Sequence, residues 1–433
     1  MSSIAMPLST LLDRFGNRRD PVVGYARGSI IDNEVAESLR QKRAYQIIRD
    51  RYAQFGDAGL FNLTGLIRAF PFAPGDEDSM RSYIHFIARS QGELEAAALR
   101  RLGGVSGEHE GFLATRISAA MIAIMLVLLE EGDRVLSLVP ADRSHPSIKQ
   151  AVKLARGEFE EVIGIGAFAE AMARSPAPTV VAITAIAPSK HHLPAADVTK
   201  AIALAHAHGA RVVLDDAHMA SRIAIYDEPP SLALAEKPDV AVWSLDKHMG
   251  GPRSGFVSGD AALVRKVKAR ALALGVEAQL GQYIAGWHAV EHFDPAPVKA
   301  AAKLAERVFT TLKGPMAGRG YIAGAGLAVG GEDFLEIVLA KAGRDRCALT
   351  PIEVVAFASM TILERLGAIT IPAVGMPGAA CTFRLMMYPD GERFGEDRFV
   401  EAWHAAVDAA AAALDRPDLV QATLFACPAA ANN

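Results

Sequence analysis

From about residue 60 the chain repeats one pattern, an apolar run of strand length followed by an alanine-rich run of helical length. No other feature limits the fold as strongly. Parallel strands need a crossover of a dozen or more residues, and a helix packed on the sheet is the usual one. The clearest unit reads "PTVVAITAIAP", "LPAADVTKAIALAHAHG" and "ARVVLDDAH", a strand, a helix closed by Gly209 and a second strand. "PDVAVWSLDKH" follows as a third strand. The alternation predicts an α/β protein with a mostly parallel sheet covered by helices.

The 433 residues exceed what one core usually serves, and half of them are apolar, with a mean hydropathy of +0.18. Residues 1–59 read as an N-terminal arm, polar at first and helical over "LRQKRAYQIIRDRYAQFG". A large domain is expected over 60–295. A break near "HFDPAPVKAAA" opens a smaller C-terminal domain over 296–433, where helices and short strands mix differently.

Charge narrows the function classes. The 45 basic and 49 acidic residues give a net charge of −4, and the first 51 residues hold nine basic against six acidic side chains. Neither balance makes a nucleic-acid footprint, so no nucleic-acid partner is expected. Cys347, Cys381 and Cys427 are odd in number and far apart, which suits a reducing compartment and neither a disulfide framework nor a zinc ribbon. The longest apolar stretch, "ISAAMIAIMLVLL", is too short to span a bilayer, and the N-terminus lacks an apolar signal core. A cytoplasmic protein without a membrane partner is expected.

Ligands of open α/β sheets gather beyond the carboxyl ends of strands. After "RVVL" come Asp215, Asp216 and His218; after "VAVW" come Ser244, Asp246 and Lys247, which lies 32 positions after Asp215. A partly dry lysine loses preference for its proton, and its amine condenses with a carbonyl. Pyridoxal 5'-phosphate supplies such a carbonyl, and its ring nitrogen requires a carboxylate, here Asp215. Asp216 alternates to the opposite face and is expected to be structural. His218 is placed to donate to the ring's phenolic oxygen, and His145 in "ADRSHPS" to stack on the ring. Thr115, Arg116 and Ser118, at the start of an apolar helix, are candidates for the phosphate, with Ser244 adding a hydroxyl. His248 alternates away from Lys247 and is expected to pack against the wall.

"DDAH" and "SLDKHMGGPRSGFVSGD" together resemble the fold type I pyridoxal-phosphate enzymes, which are aspartate-aminotransferase-like with a seven-stranded, mostly parallel sheet and a smaller α+β domain. The "GGP" loop, "FNLTGLIRAF" and "GVEAQLGQYIAGWHAVEHF" are similar to the selenocysteine synthase branch, including the D-glucosaminate-6-phosphate ammonia-lyases. The resemblance implies a homodimer and Lys247 as the Schiff-base lysine and general base. It also implies that Arg384 in "CTFRLMMYP" holds a substrate carboxylate. Arg116 and Ile117 stand where the family has a Ser-Gly pair, "GVEAQ" replaces a basic run, and Arg253 replaces a common glutamine, with a compensating role at the phosphate expected of it.

The expected reaction is an α,β-elimination on a β-substituted amino acid, giving a 2-oxo acid and ammonia. Transamination, racemisation and aldol cleavage use the same cofactor. Two other classes compete. A metallohydrolase would draw on "HAH" at 206–208 and "DDAH", but residues two apart on a helix do not face one another, so no metal is expected. A nucleotide-binding or non-catalytic protein would draw on "GAGLAVGG", where Val329 occupies a position the dinucleotide fingerprint reserves for glycine.

Overall fold

A computed structural model describes residues 12–425, and Cys427 lies outside them. The chain divides into two units, residues 66–298 and residues 12–65 with 299–425.

The 66–298 unit is built on seven strands with helices between them. In chain order its elements include β1 (His109–Ala114), α1 (Ile117–Leu128), β2 (Arg134–Val139), α2 (Pro146–Leu154), β3 (Glu158–Ile163) and β4 (Val180–Thr184). They continue with α3 (Ala195–Ala207), β5 (Arg211–Asp215), α4 (Met219–Ile225), β6 (Val240–Ser244), β7 (Gly255–Asp260) and α5 (Leu280–Glu291). The strand order is β1-β7-β6-β5-β4-β2-β3. β7 runs antiparallel to both neighbours; the other pairings are parallel.

Burial explains why the central strands read as unbroken apolar runs. Every residue of β4 and β6 is buried, because helices cover both faces of the sheet. The pleat sends Val213 into one core with Ile124 and Val242, and Val212 and Leu214 into the other with Ile202 and Ala241. Helix α3 buries Val198, Ala201, Ile202 and Ala205 and ends at His208, with Gly209 at φ +75° turning the chain into β5.

The other unit carries a three-stranded antiparallel sheet in which Gly326–Gly330 lies between Gly320–Ile322 and Thr382–Met386. "GAGLAVGG" therefore sits in a hairpin rather than at a turn from a parallel strand into a helix, and the dinucleotide reading lapses. The helix Glu34–Phe55 fits the expected arm helix and is tied to the C-terminal segment. Buried Arg40 donates to the carbonyls of Ala373 at 2.6 Å and Gly375 at 3.0 Å. No helix among the described residues is long and apolar enough to cross a membrane.

Candidate active site

Asp215 ends β5, and in the register Val242 of β6 lies on one side of it and Thr184 of β4 on the other. The carboxyl is 4 % exposed and accepts from the Ala217 amide at 3.2 Å. Burial raises its pKa, and the Lys247 charge pulls it back down. The lysine loop beyond β6 thus brings a half-buried ammonium to a buried carboxyl on the neighbouring strand.

Two imidazoles complete the surroundings of Lys247. His248, at φ +67°, is fully enclosed, and its Nδ1 lies 2.8 Å from Ser221 Oγ. Burial, then Lys190 and Lys247, push its pKa down to about 3, so the ring is neutral near pH 7. His145 caps α2, with Nδ1 2.7 Å from Ser147 Oγ. The residue is exposed to solvent. Desolvation and the charges of Lys247, Arg143 and Arg116 lower its pKa. Lys247 therefore acts electrostatically on Asp215, His145 and His248 at once.

The rest of the expected set divides. Arg116 precedes α1 in extended conformation (φ −160°, ψ 155°), and no side chain caps the helix, so its first amides face outward from the helix end. Thr115 and Ser118 flank that turn, half-buried, with the Thr115 amide donating to Val276 O at 2.9 Å. Gly255 of β7 explains the close approach, since a Cβ there would lie 2.6 Å from the Ile117 nitrogen. Arg253 is half-buried, its carbonyl accepting from Gln282 Nε2 at 3.0 Å.

Ser244 has a partner within its own loop. Its hydroxyl donates to Asp246 Oδ1, with Ser254 O at 3.3 Å, so its single proton is committed inside the lysine loop. The loop has its own anchors, as Asp246 O accepts from the Ile67 amide at 3.0 Å and Arg68 reaches Asp246 Oδ2 at 3.4 Å. Asp216 has the structural role expected of it, with both carboxylate oxygens bound by the fully buried Arg222 at 2.8 and 2.7 Å. Arg384 is buried on a strand of the other unit, where desolvation lowers its pKa to about 10.

One residue was missed from sequence. Lys190, in the turn after β4, places Nζ 2.7 Å from His218 Nε2. A basic residue in "PSKHHLP" at a third strand end was the available signal. The metal reading fails on partners as well as spacing: His206 faces Asp239 at 3.0 Å, and His208 Nδ1 turns to Leu204 O at 2.9 Å.

The donors at this strand end suit a flat, cationic-ringed aldehyde carrying a phosphate. Asp215 is buried with an amine close by, the α1 amide turn lacks a side-chain cap, and the buried Thr184 Oγ1 beside Asp215 has no hydrogen-bond partner.

Residues 86–318 match the aminotransferase class I and II family model, which covers more than half of the chain. The fold is accordingly that of the fold type I, aspartate-aminotransferase-like proteins. Within that class the chain belongs to the UPF0425 family, whose C-terminal domain matches residues 325–395. It is 32 % identical to the UPF0425 pyridoxal phosphate-dependent protein of Methanothermobacter thermautotrophicus, over 82 % of this chain and 89 % of the relative. Identity to the counterpart in Methanococcus maripaludis is 28 %, covering 86 % and 98 %. Similar solved structures include a chain of the SepCysS-SepCysE N-terminal domain complex (TM-score 0.55, 14 % identity, covering 83 % of this chain and 99 % of that one). Another is the serine palmitoyltransferase of Sphingomonas wittichii (TM-score 0.55, 14 % identity, covering 86 % and 84 %). At these identities they speak for the fold alone.

Proposed function

We propose that the protein is a pyridoxal-phosphate-dependent enzyme acting on an amino acid, with Lys247 as the covalently linked lysine and Asp215 as the partner of the ring nitrogen. The observation that carries this reading is the placement of a buried Asp215 carboxyl at the end of β5 with Lys247 just beyond the end of the adjacent, parallel β6. Bound there, the cofactor supplies an aldehyde for linkage to an amine and a ring that withdraws electrons from the substrate Cα.

The chain's own residues do the rest. Asp215 holds a proton on the ring nitrogen, and its burial strengthens that ion pair once a cation arrives. Lys247 Nζ would hold the cofactor and, as a free amine, would take the Cα proton of the substrate. His145 offers a neutral, flat ring for stacking. The amides opening α1, with Thr115, Arg116, Ser118 and Arg253, hold the phosphate. On the resemblance alone, Arg384 is kept as the residue for the substrate carboxylate. Ser244 retains only acceptor capacity, and its part is to fix Asp246.

The reaction we favour is loss of a β-substituent, leading to a 2-oxo acid and ammonia, as in the ammonia-lyases that the lysine loop resembles. Transamination is the second reading, supported by the aminotransferase class I and II match. A homodimer belongs to this reading and is supported by the exposed Phe70, Phe72, Tyr83 and Ile84.

Purified protein loaded with the cofactor is expected to show a visible absorbance band that Lys247→Ala abolishes. A colourless loaded wild type sinks the cofactor reading. Incubation with D- and L-β-hydroxy amino acids then separates ammonia release from amination of the cofactor.

A further inference from the structure

The loop after β4 brings a second amine into this strand-end cluster, and its geometry is specific. A bridge between Ile186 and His192 closes the loop, the Lys190 amide donates to Ala187 O at 2.8 Å, and Ser189 Oγ donates to Asp142 Oδ1 at 2.7 Å. Lys190 itself is left-handed, at φ +77°, a conformation that costs a non-glycine residue of order 1 kcal/mol or more. Such strain persists where the surroundings impose it, and here it delivers Nζ to 2.7 Å from His218 Nε2.

His218 is held from its other side. It sits immediately before α4, whose Ser221 binds His248 and whose Arg222 grips Asp216. The His218 and His248 rings meet edge to face, with centroids 6.4 Å apart. The Lys190 contact therefore falls on a ring already positioned by its own helix start.

We propose that Lys190 is a positioning residue that donates to Nε2 of His218 and so places that ring's proton on Nδ1. One proton must lie between the two nitrogens. An amine is ordinarily about 4 pKa units more basic than an imidazole, so the proton stays on Nζ and Nε2 accepts. A neutral imidazole accepting at Nε2 carries its hydrogen on Nδ1. Nδ1–H is then the group His218 presents to an anionic oxygen, and Lys190 decides which edge of the ring acts as donor. The proposal rests on the reading of His218 as a contact of the cofactor's phenolic oxygen, and its test is arranged to separate the two.

The test is nitrogen-15 NMR of histidine-labelled, cofactor-stripped protein, with His218→Gln to assign the resonance. In the wild type, His218 is expected as one tautomer, protonated on Nδ1. Lys190→Met should give a mixture or the opposite tautomer, and Lys190→Arg, which keeps a donor, should restore the original signal. Ser189→Ala, which frees the loop from Asp142 while leaving both partners intact, should move the signal the same way by less. After loading with pyridoxal phosphate, Lys190→Met should displace the visible band and release cofactor about tenfold faster. A wild-type His218 protonated on Nε2, or a His218 signal unchanged in Lys190→Met, overturns the proposal. A wild type that takes up no cofactor defeats the functional reading, while the tautomer measurement still decides the role of Lys190.

Discussion

The two ends of the central sheet hold similar residues and treat them in opposite ways. At the amino end, a cavity of 520 Å³ is lined by His109, His206, Lys237, Asp239, Asp260 and Arg265. There the charges are matched. Asp239 meets Arg211 at 2.5 Å, His206 at 3.0 Å and the Val212 amide at 2.7 Å, and these partners outweigh burial and lower its pKa. At the carboxyl end, burial wins instead. Asp215 is pushed up, and His248 and His145 are pushed down. Matched charges mark the first place, strained ionisation the second, and strained ionisation is the better guide to chemistry.

Replacing Asp215 breaks the comparison most severely. Asp215→Asn removes the carboxylate proposed to face the ring nitrogen, and turnover should fall on the order of 10²-fold or more while folding is kept. Steady-state kinetics beside a thermal melt checks this, and near-normal turnover would remove Asp215 from the chemistry.

A smaller effect is expected in acid. His248 titrates ordinarily near 6.5 when unfolded and near 3 when folded, so below pH 6.5 the unfolded chain gains a proton that the folded one refuses. Stability therefore falls as pH drops from 6.5 toward 3, with a slope of about 1.4 kcal/mol per pH unit from this group. Urea melts across that window should show the slope, and His248→Asn should lessen it, leaving the part that His145 adds.

Least should follow at the amino end. Asp239→Asn should cost about 1 kcal/mol, because its ionic partners are largely exposed, and should leave the cofactor band unmoved. A change in that band would mean the two ends are coupled.

These contrasts also show what the sequence revealed. Continuous apolar runs such as "VVAIT" and "VAVWS" report burial on both faces, so the sheet and its strand ends were legible. Residue alternation separated Asp215 from Asp216, because the pleat has a period of two and Arg222 lies on the other side. Lys190 was hidden because its role depends on a left-handed backbone at a residue type that seldom adopts one. The Ser244 contact was hidden for a different reason. Two residues on, Asp246 competes for its hydroxyl, and such short-range capture leaves no trace in periodicity.

Gly255 ties two of these parts together. With no side chain there, the opening turn of α1 rests directly on the backbone of β7, at the exit of the lysine loop. The amides proposed for an anion and the amine proposed for an aldehyde thus share one footing, one methyl group too thin to admit alanine. Their separation is fixed by backbone thickness, which a substitution elsewhere on the surface does not retune.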